Sequence, residues 1–321
     1  MNKEGEKSKV LYHYCSADAF YNIIKNHSIW LSDLTNTNDS KELIWVKEAA
    51  ERVVTPYIQE RIQEDDTDEF WRHEYVKAFL NLVGRQVFCW GFCLSEKDDN
   101  LGQWRGYGDD GTGICIGFDF KTLNELIPKR EVIRTGGPIL TLGEIYYKTK
   151  EGMNKTLREQ AQNIVSNEKK RTMLRELVNT AKIVFSGSGI ENPKVELLPK
   201  TEESIAVAIV AMTVFPFYKS EGFEEEAEYR IVFSIPREKF SIKEFEKYQW
   251  GSKLEFKEFK FNEETFVSHL DIKFVDMKDV IKSITIGPKS KLTKQEVELI
   301  LRWYDVYSDD IEIKKSAATY W

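Results

Sequence analysis

The sequence predicts an α+β fold, with a central mixed or antiparallel sheet and helical insertions, over a single domain of residues 11–321. Three observations carry this. Short apolar runs of strand length cluster towards both ends of the chain. Highly charged segments with helical periodicity stand between them, at about 42–86 and 151–212. No regular alternation of strand and helix runs through the chain, so a doubly wound parallel sheet is not expected.

VLYHYC reads as the first strand, and SADAFYNIIKNHS as a helix that Ser16 caps and that carries Phe20, Ile23 and Ile24 on one face. IWLSD is a second short strand, and LTNTNDSKE is a loop of residues that bond their own backbone. Trp45, Val46, Ala49, Ala50 and Val53 belong to an amphipathic helical pair. VFCWGFCLS reads as a buried strand, followed by a loop with a short helix around Leu101 to Tyr107. GICIGFD is the next strand, with further strands at LGEIYYK and around Glu226 to Ser234. EGMNKTLREQAQNIVSNEKKRTMLRELVNTAKIVFSG and ESIAVAIVAMTVF read as helical, KFSIKEFEKY is mixed, and LEFKEFKF alternates with period two. SITIG is a strand, LTKQEVELILRWYD a helix with a Thr cap and a Glu three residues on, and IEIKKSAATYW a closing strand with a tail.

The composition is that of a globular chain, 41% hydrophobic and 31% charged. A net charge of −7 argues against a general nucleic-acid footprint. No apolar stretch approaches the ~20 residues that span a bilayer, and MNKEGEKSKV lacks a secretory core and reads as a disordered lead-in. A cytoplasmic protein with no membrane partner is expected. The four cysteines form no CxxC pair, and Cys89 and Cys93 would stand ~13 Å apart along one face of a strand. Reduced, buried thiols and no metal are therefore expected.

Four groups of residues are candidates for chemistry. His13 lies in the first strand, pointing opposite to Tyr12 and Tyr14. Asn38, Asp39 and Glu42 follow the second strand. Ser95 ends its strand, with Trp104, Arg105 and Tyr107 after it. In YKSEGFEEEAEYRIVFS, Lys219 is a cleft candidate, and Glu226, Glu228 and Arg230 alternate as if on one strand face, with Tyr229, Ile231 and Phe233 turned to the core. An arginine there can fork onto one carboxylate and leave the other free. Phosphate-loop, nucleophile-elbow and dinucleotide-fold motifs are absent. Paired carboxylates also leave open a glycosidase or a metal-dependent nuclease built on Asp39, Glu42, Glu226 and Glu228.

The fragments LYHYCSADAFYNIIKNHSIWLSDLTNTNDSKE, VFCWGFCLSEKDDNLGQWRGYGDDGTGICIGFD, YKSEGFEEEAEYRIVFS, ITIGPKSKL and IKKSAATY, in that order, resemble the bacterial family called domain of unknown function 2971. More remotely, a strand with His leading into a helix, a later strand ending in Phe-x-x-Ser and a late Glu-x-Glu are similar to motifs of ADP-ribosyltransferases. That likeness implies an ADP-ribosyltransferase-like fold and NAD as substrate. His13 would hold a ribose hydroxyl, and Tyr107 or Trp104 would stack on nicotinamide. Glu228 would act on the nicotinamide ribose, Glu226 would orient the acceptor, and Arg230 or Arg105 would pair with the pyrophosphate. A bacterial toxin or phage-defence effector, with an antitoxin or defence-system partner and a macromolecular or water acceptor, follows from the same likeness. A non-enzymatic nucleotide-binding sensor remains the alternative from another class.

Overall fold

A computed structural model describes residues 9–34, 45–46, 48–53, 55, 87–127, 139–168, 206–207, 210–211, 215–248, 254–261 and 267–319. The chain divides into two units. One holds Met1–Thr37, Phe88–Ile145 and Phe223–Trp321; the other holds Asn38–Val87 and Tyr146–Gly222.

The first unit is mixed α+β. Its strands are β1 (Val10–Cys15), β2 (Ser28–Asp33), β3 (Val87–Ser95), β4 (Ile114–Asp119), β5 (Ile139–Glu144), β8 (Glu228–Pro236), β9 (Leu254–Phe261), β10 (Ser268–Phe274), β11 (Ile281–Ile286) and β12 (Glu312–Lys315). They form one large sheet in the order β12-β11-β4-β1-β3-β2-β10-β9, with β8 joined to β3 and β5 joined to β8. The β11–β12 pair is parallel, while β1–β4, β4–β11, β2–β10, β9–β10 and β5–β8 are antiparallel, so the sheet is mixed.

The alternation of side chains decides what each face carries. Leu11 and Cys15 of β1, Trp90, Phe92 and Leu94 of β3, Ile114, Ile116 and Phe118 of β4 and Tyr229, Ile231 and Phe233 of β8 enter one continuous apolar core. Helix α1 (Ala17–Asn26) packs Phe20, Ile23 and Ile24 into that core, and its Ser16 side chain accepts from the Ala19 N–H as N-cap. Helix α7 (Lys294–Trp303) adds Val297 and Leu301 behind a capping box of Thr293 and Glu296. On the opposite face Tyr14, Trp104 and Cys115 form a separate small cluster, joined by Tyr12 and Ala318.

Between β3 and β4 lie α2 (Leu101–Gly106) and a 3-10 turn, Asp109–Gly111. Two glycines allow this connection to fold tightly. A Cβ on Gly108 would lie 2.5 Å from the Trp104 ring, and one on Gly113 would lie 2.1 Å from the Cys15 carbonyl oxygen. Smaller helices α3 (Phe120–Leu126), α5 (Ile242–Lys247) and α6 (Met277–Val280) complete the described part of this unit.

In the second unit, β6 (Tyr146–Lys148) and β7 (Tyr218–Ser220) pair in parallel. Helix α4 (Lys150–Ser166), capped by Thr149, buries Met153, Leu157 and Ala161 at intervals of four. The predicted helical insertion at about 42–86, and the part of the insertion at about 151–212 that follows residue 168, fall mostly outside the described residues.

Several sequence expectations change. LGEIYYK contains the end of one strand and all of another, divided between the two units. The mixed KFSIKEFEKY contains α5, whose Ser241 cap accepts from the Glu244 N–H. SHLDIKF is a strand, β10, that sequence reading passed over. Its alternation is real, since Leu270, Ile272 and Phe274 are core while His269, Asp271 and Lys273 alternate with them, so the period-two signal was available.

Candidate functional site

Glu226, Glu228 and Arg230 do not share a strand. Strand β8 starts at Glu228, and Glu226 ends a 3-10 turn, Glu221–Glu226. Between them Ala227 has φ 44°, in the left-handed region that a residue with a Cβ enters at a cost of about 1–2 kcal/mol. The kink is held from both sides: the Ala227 N–H donates to the Glu224 carbonyl (3.2 Å), and the Glu96 N–H donates to the Ala227 carbonyl (2.9 Å).

The two carboxylates therefore have different surroundings. Glu228 is 5% exposed and Arg230 1% exposed. The Arg230 Nε–H donates to Glu228 Oε1 at 2.6 Å and an Nη2–H donates to Oε2 at 3.2 Å. This is a bidentate buried ion pair, the forked geometry that a guanidinium offers a carboxylate. The fork engages both oxygens of Glu228.

Glu226 instead sits at a junction of three elements. Ser95, at the end of β3, donates its Oγ–H to the Glu226 carbonyl (2.6 Å) and accepts from the Lys97 N–H (3.1 Å). Tyr107, the C-cap of α2 and 45% exposed, donates its phenol to Glu226 Oε1 (3.1 Å). Ser95 thus fixes backbone, and Tyr107 presents an accessible aromatic ring beside a carboxylate.

Trp104 does not serve as a stacking surface. It is fully buried, donates its indole N–H to Asp99 Oδ1 (2.8 Å), and meets Tyr14 edge-on at 4.9 Å. Its ring is the floor under α2. Arg105 is exposed on the same helix. Lys219 is 1% exposed on β7, in the other unit. Asn38, Asp39 and Glu42 lie outside the described residues.

His13 shares the β1 face of Leu11 and Cys15, and its ring stacks on core residue Phe92 at 4.0 Å. Its Nδ1–H donates to the Cys93 carbonyl (2.9 Å), leaving Nε2 as the bare nitrogen of that tautomer. Strand β1 registers on β4 through six residue pairs but on β3 only through Tyr12 and Ser95. The imidazole thus supplies a donor where the backbone ladder has thinned. Alternation along β1 and β8 sets His13 and the Glu228–Arg230 pair on opposite faces, so the expected meeting of His13, Tyr107 and Glu228 in one cleft does not occur.

Burial lowers the His13 pKa to about 4, against the opposing bond to the Cys93 carbonyl. The sign follows from linkage: the unfolded chain binds this proton first, so the contribution is complete above the unfolded pKa of ~6.5 and is lost as pH falls towards about 4. Urea denaturation at pH 7 and pH 4.5 is expected to show a loss of up to about 3 kcal/mol from this group. A His13→Gln variant, which keeps a donor for Cys93, is expected to lose less stability over the same interval.

Sequence reading missed the residues that hold α2 in place. The Tyr14 phenol donates to the Lys97 carbonyl (2.7 Å) and accepts from the Asn100 N–H (2.9 Å). The Asn100 side chain caps α2 by accepting from the Gln103 N–H (3.1 Å). Asp99, with φ 52°, accepts from Trp104, from the Ser316 hydroxyl and from the Ala317 N–H (2.7 Å). Asp98 accepts from Thr285 (3.3 Å) and pairs with Lys314. Asn100 three residues before Gln103 is a cap signal that was available; the long-range partners of Asp98 and Asp99 were not.

No disulfide joins Cys15, Cys89, Cys93 and Cys115; Cys93 is only half-buried, against the expectation of buried thiols, and burial pushes the Cys15 and Cys89 thiols up to about 12. Among the described residues no group of three His, Cys, Asp or Glu side chains is placed to hold a metal ion. No helix among them is long and apolar enough to cross a membrane.

Residues 103–231 match the model of a family described as "Protein of unknown function (DUF2971)". The match supports the resemblance drawn from the sequence fragments. It contains Trp104, Arg105, Tyr107, Lys219, Glu226, Glu228 and Arg230, and it excludes His13 and Ser95. No curated protein and no solved structure matches the chain.

Proposed function

We propose that the chain is an NAD-cleaving enzyme of ADP-ribosyltransferase-like fold, with Glu226 rather than Glu228 as its working carboxylate. The observation that carries this reading is the junction itself. Glu226 is pinned through its carbonyl by Ser95 and bonded through its carboxylate to the exposed Tyr107. A fixed carboxylate beside an accessible aromatic ring is what cleavage of the nicotinamide glycosidic bond calls for. As the ribose C1–nitrogen bond breaks, its electron pair leaves with nicotinamide and positive charge develops on the ribose. A preorganised negative group stabilises that charge more than it stabilises the ground state. Water or an acceptor then forms the new bond at C1 and gives up a proton. The ring of Tyr107 offers a face to the cationic nicotinamide of the substrate, and the exposed Arg105 is the candidate for the pyrophosphate. The Glu228–Arg230 pair stands behind the kink as support. His13 takes no part in the reaction. A cytoplasmic effector of the toxin or defence kind fits this activity.

The test is incubation of the protein with NAD, followed by mass spectrometry. Release of nicotinamide with ADP-ribose, or its adduct on an acceptor, is the expected result. NAD that binds saturably and is recovered intact would establish the sensor reading instead.

A further inference from the structure

The loop that carries Tyr107 is fastened to a segment more than two hundred residues away in the chain. Asp99 receives the Ser316 hydroxyl and the Ala317 N–H, with sequence separations of 217 and 218. Asp98 receives Lys314, and Ala318 packs against the Tyr14–Trp104–Cys115 cluster. Asp99 Oδ1, the oxygen that receives the Ser316 hydroxyl, also accepts the Trp104 indole N–H, and Trp104 is an interior residue of α2, whose C-cap is Tyr107. The Tyr107 and Gly108 N–H groups both donate to the Gln103 carbonyl (2.9 and 3.1 Å), so the phenol moves with the helix. The chain of contacts therefore runs from Lys314–Ala318 through Asp99 and Trp104 to Tyr107 and ends at Glu226.

We infer that Lys314–Ala318 is a strap that sets Tyr107 against Glu226, and that Asp99 is the positioning residue through which it acts. Resting on the reading of Glu226 and Tyr107 as the active pair, this makes the strap the element that keeps the site assembled. The physical basis is that α2 is only six residues long and sits beside a left-handed residue. A helix this short has little stability of its own and takes its position from what it is bonded to. Asp99 favours its charged form, because the bonds from Ser316, Trp104 and the Ala317 and Ala318 N–H groups outweigh the opposing effect of burial.

Two variants of the full chain test the strap. Asp99→Asn keeps volume and can still accept from Trp104, but it places an amide against the Ala317 N–H. Ser316→Ala removes one donor and leaves the carboxylate. Amide hydrogen exchange should quicken about tenfold at Trp104, Tyr107 and Gly108, as expected for the loss of one hydrogen bond to a charged group, while β4 keeps its protection. Unchanged exchange at these three amides in both variants overturns the strap. So does acceleration spread equally over β1 and β4, which would mark a general loss of stability. The second readout is NAD turnover in a cycle with Tyr107→Ala, which removes both ring and phenol. Asp99→Asn should lower turnover in the native background and add nothing once the Tyr107 side chain is gone. Effects that multiply overturn the positioning role. If the native protein leaves NAD intact, the proposed activity falls, while the exchange measurement still decides whether the strap orders the loop.

Discussion

Arg230→Ala is expected to destabilise the protein by about 3–5 kcal/mol, seen as a lower urea midpoint at unchanged slope. The side chain is 1% exposed and its guanidinium holds both oxygens of a carboxylate that is itself 5% exposed. Removing the cation leaves Glu228 charged in an interior that solvates it poorly. The penalty is chiefly the poor solvation of a buried carboxylate that has lost its forked guanidinium, not the attraction lost. A double variant, Glu228→Met with Arg230→Met, is therefore expected to lose less than Arg230→Ala alone, because neither charge is then buried. If Arg230→Ala unfolds at the native midpoint, the pair is not the structural element described.

Glu226→Gln is expected to lower NAD cleavage about 10²–10³-fold, the range for removing one preorganised electrostatic group. The change keeps shape and still offers an acceptor to the Tyr107 phenol, so the NAD dissociation constant should stay within a few-fold. Nicotinamide release against time gives the first quantity, and calorimetric titration gives the second. The contrast with Glu228→Gln separates the two carboxylates: that change is expected to register mainly in stability, through the arginine it leaves behind. Turnover undiminished in Glu226→Gln overturns the role assigned to Glu226.

Much of the fold was legible because its elements carry local signals. VFCWGFCLS corresponds residue for residue to β3, Ser16 caps α1, and the Thr293–Glu296 pair forms its capping box. The boundary at Ala227 was not legible. GluAlaGluTyrArg has the alternation of a strand throughout, and only the bonds from Glu96 and to Glu224 show that the strand starts one residue after the kink. Parity along β1 correctly turned His13 away from Tyr12 and Tyr14. Which of the two faces carried the candidate site depended on strand neighbours two hundred residues away, and short-range periodicity carries no information about them. Trp104 shows the same difficulty: a tryptophan in a polar loop reads as a ligand platform until its partner Asp99 and the packing of Tyr14 are known.

The left-handed residue at Ala227 has a consequence for how this chain tolerates change. It is a joint between a part whose geometry belongs to the sheet and a part that belongs to a short surface turn. Substitutions at 221–225 can redraw the lip around the Glu226 carboxylate while β8 keeps its register on β5, because that register begins beyond the joint. Variation in ligand preference among related chains is thus expected to collect on the turn ahead of Glu226, and invariance at Glu226 and along the strand.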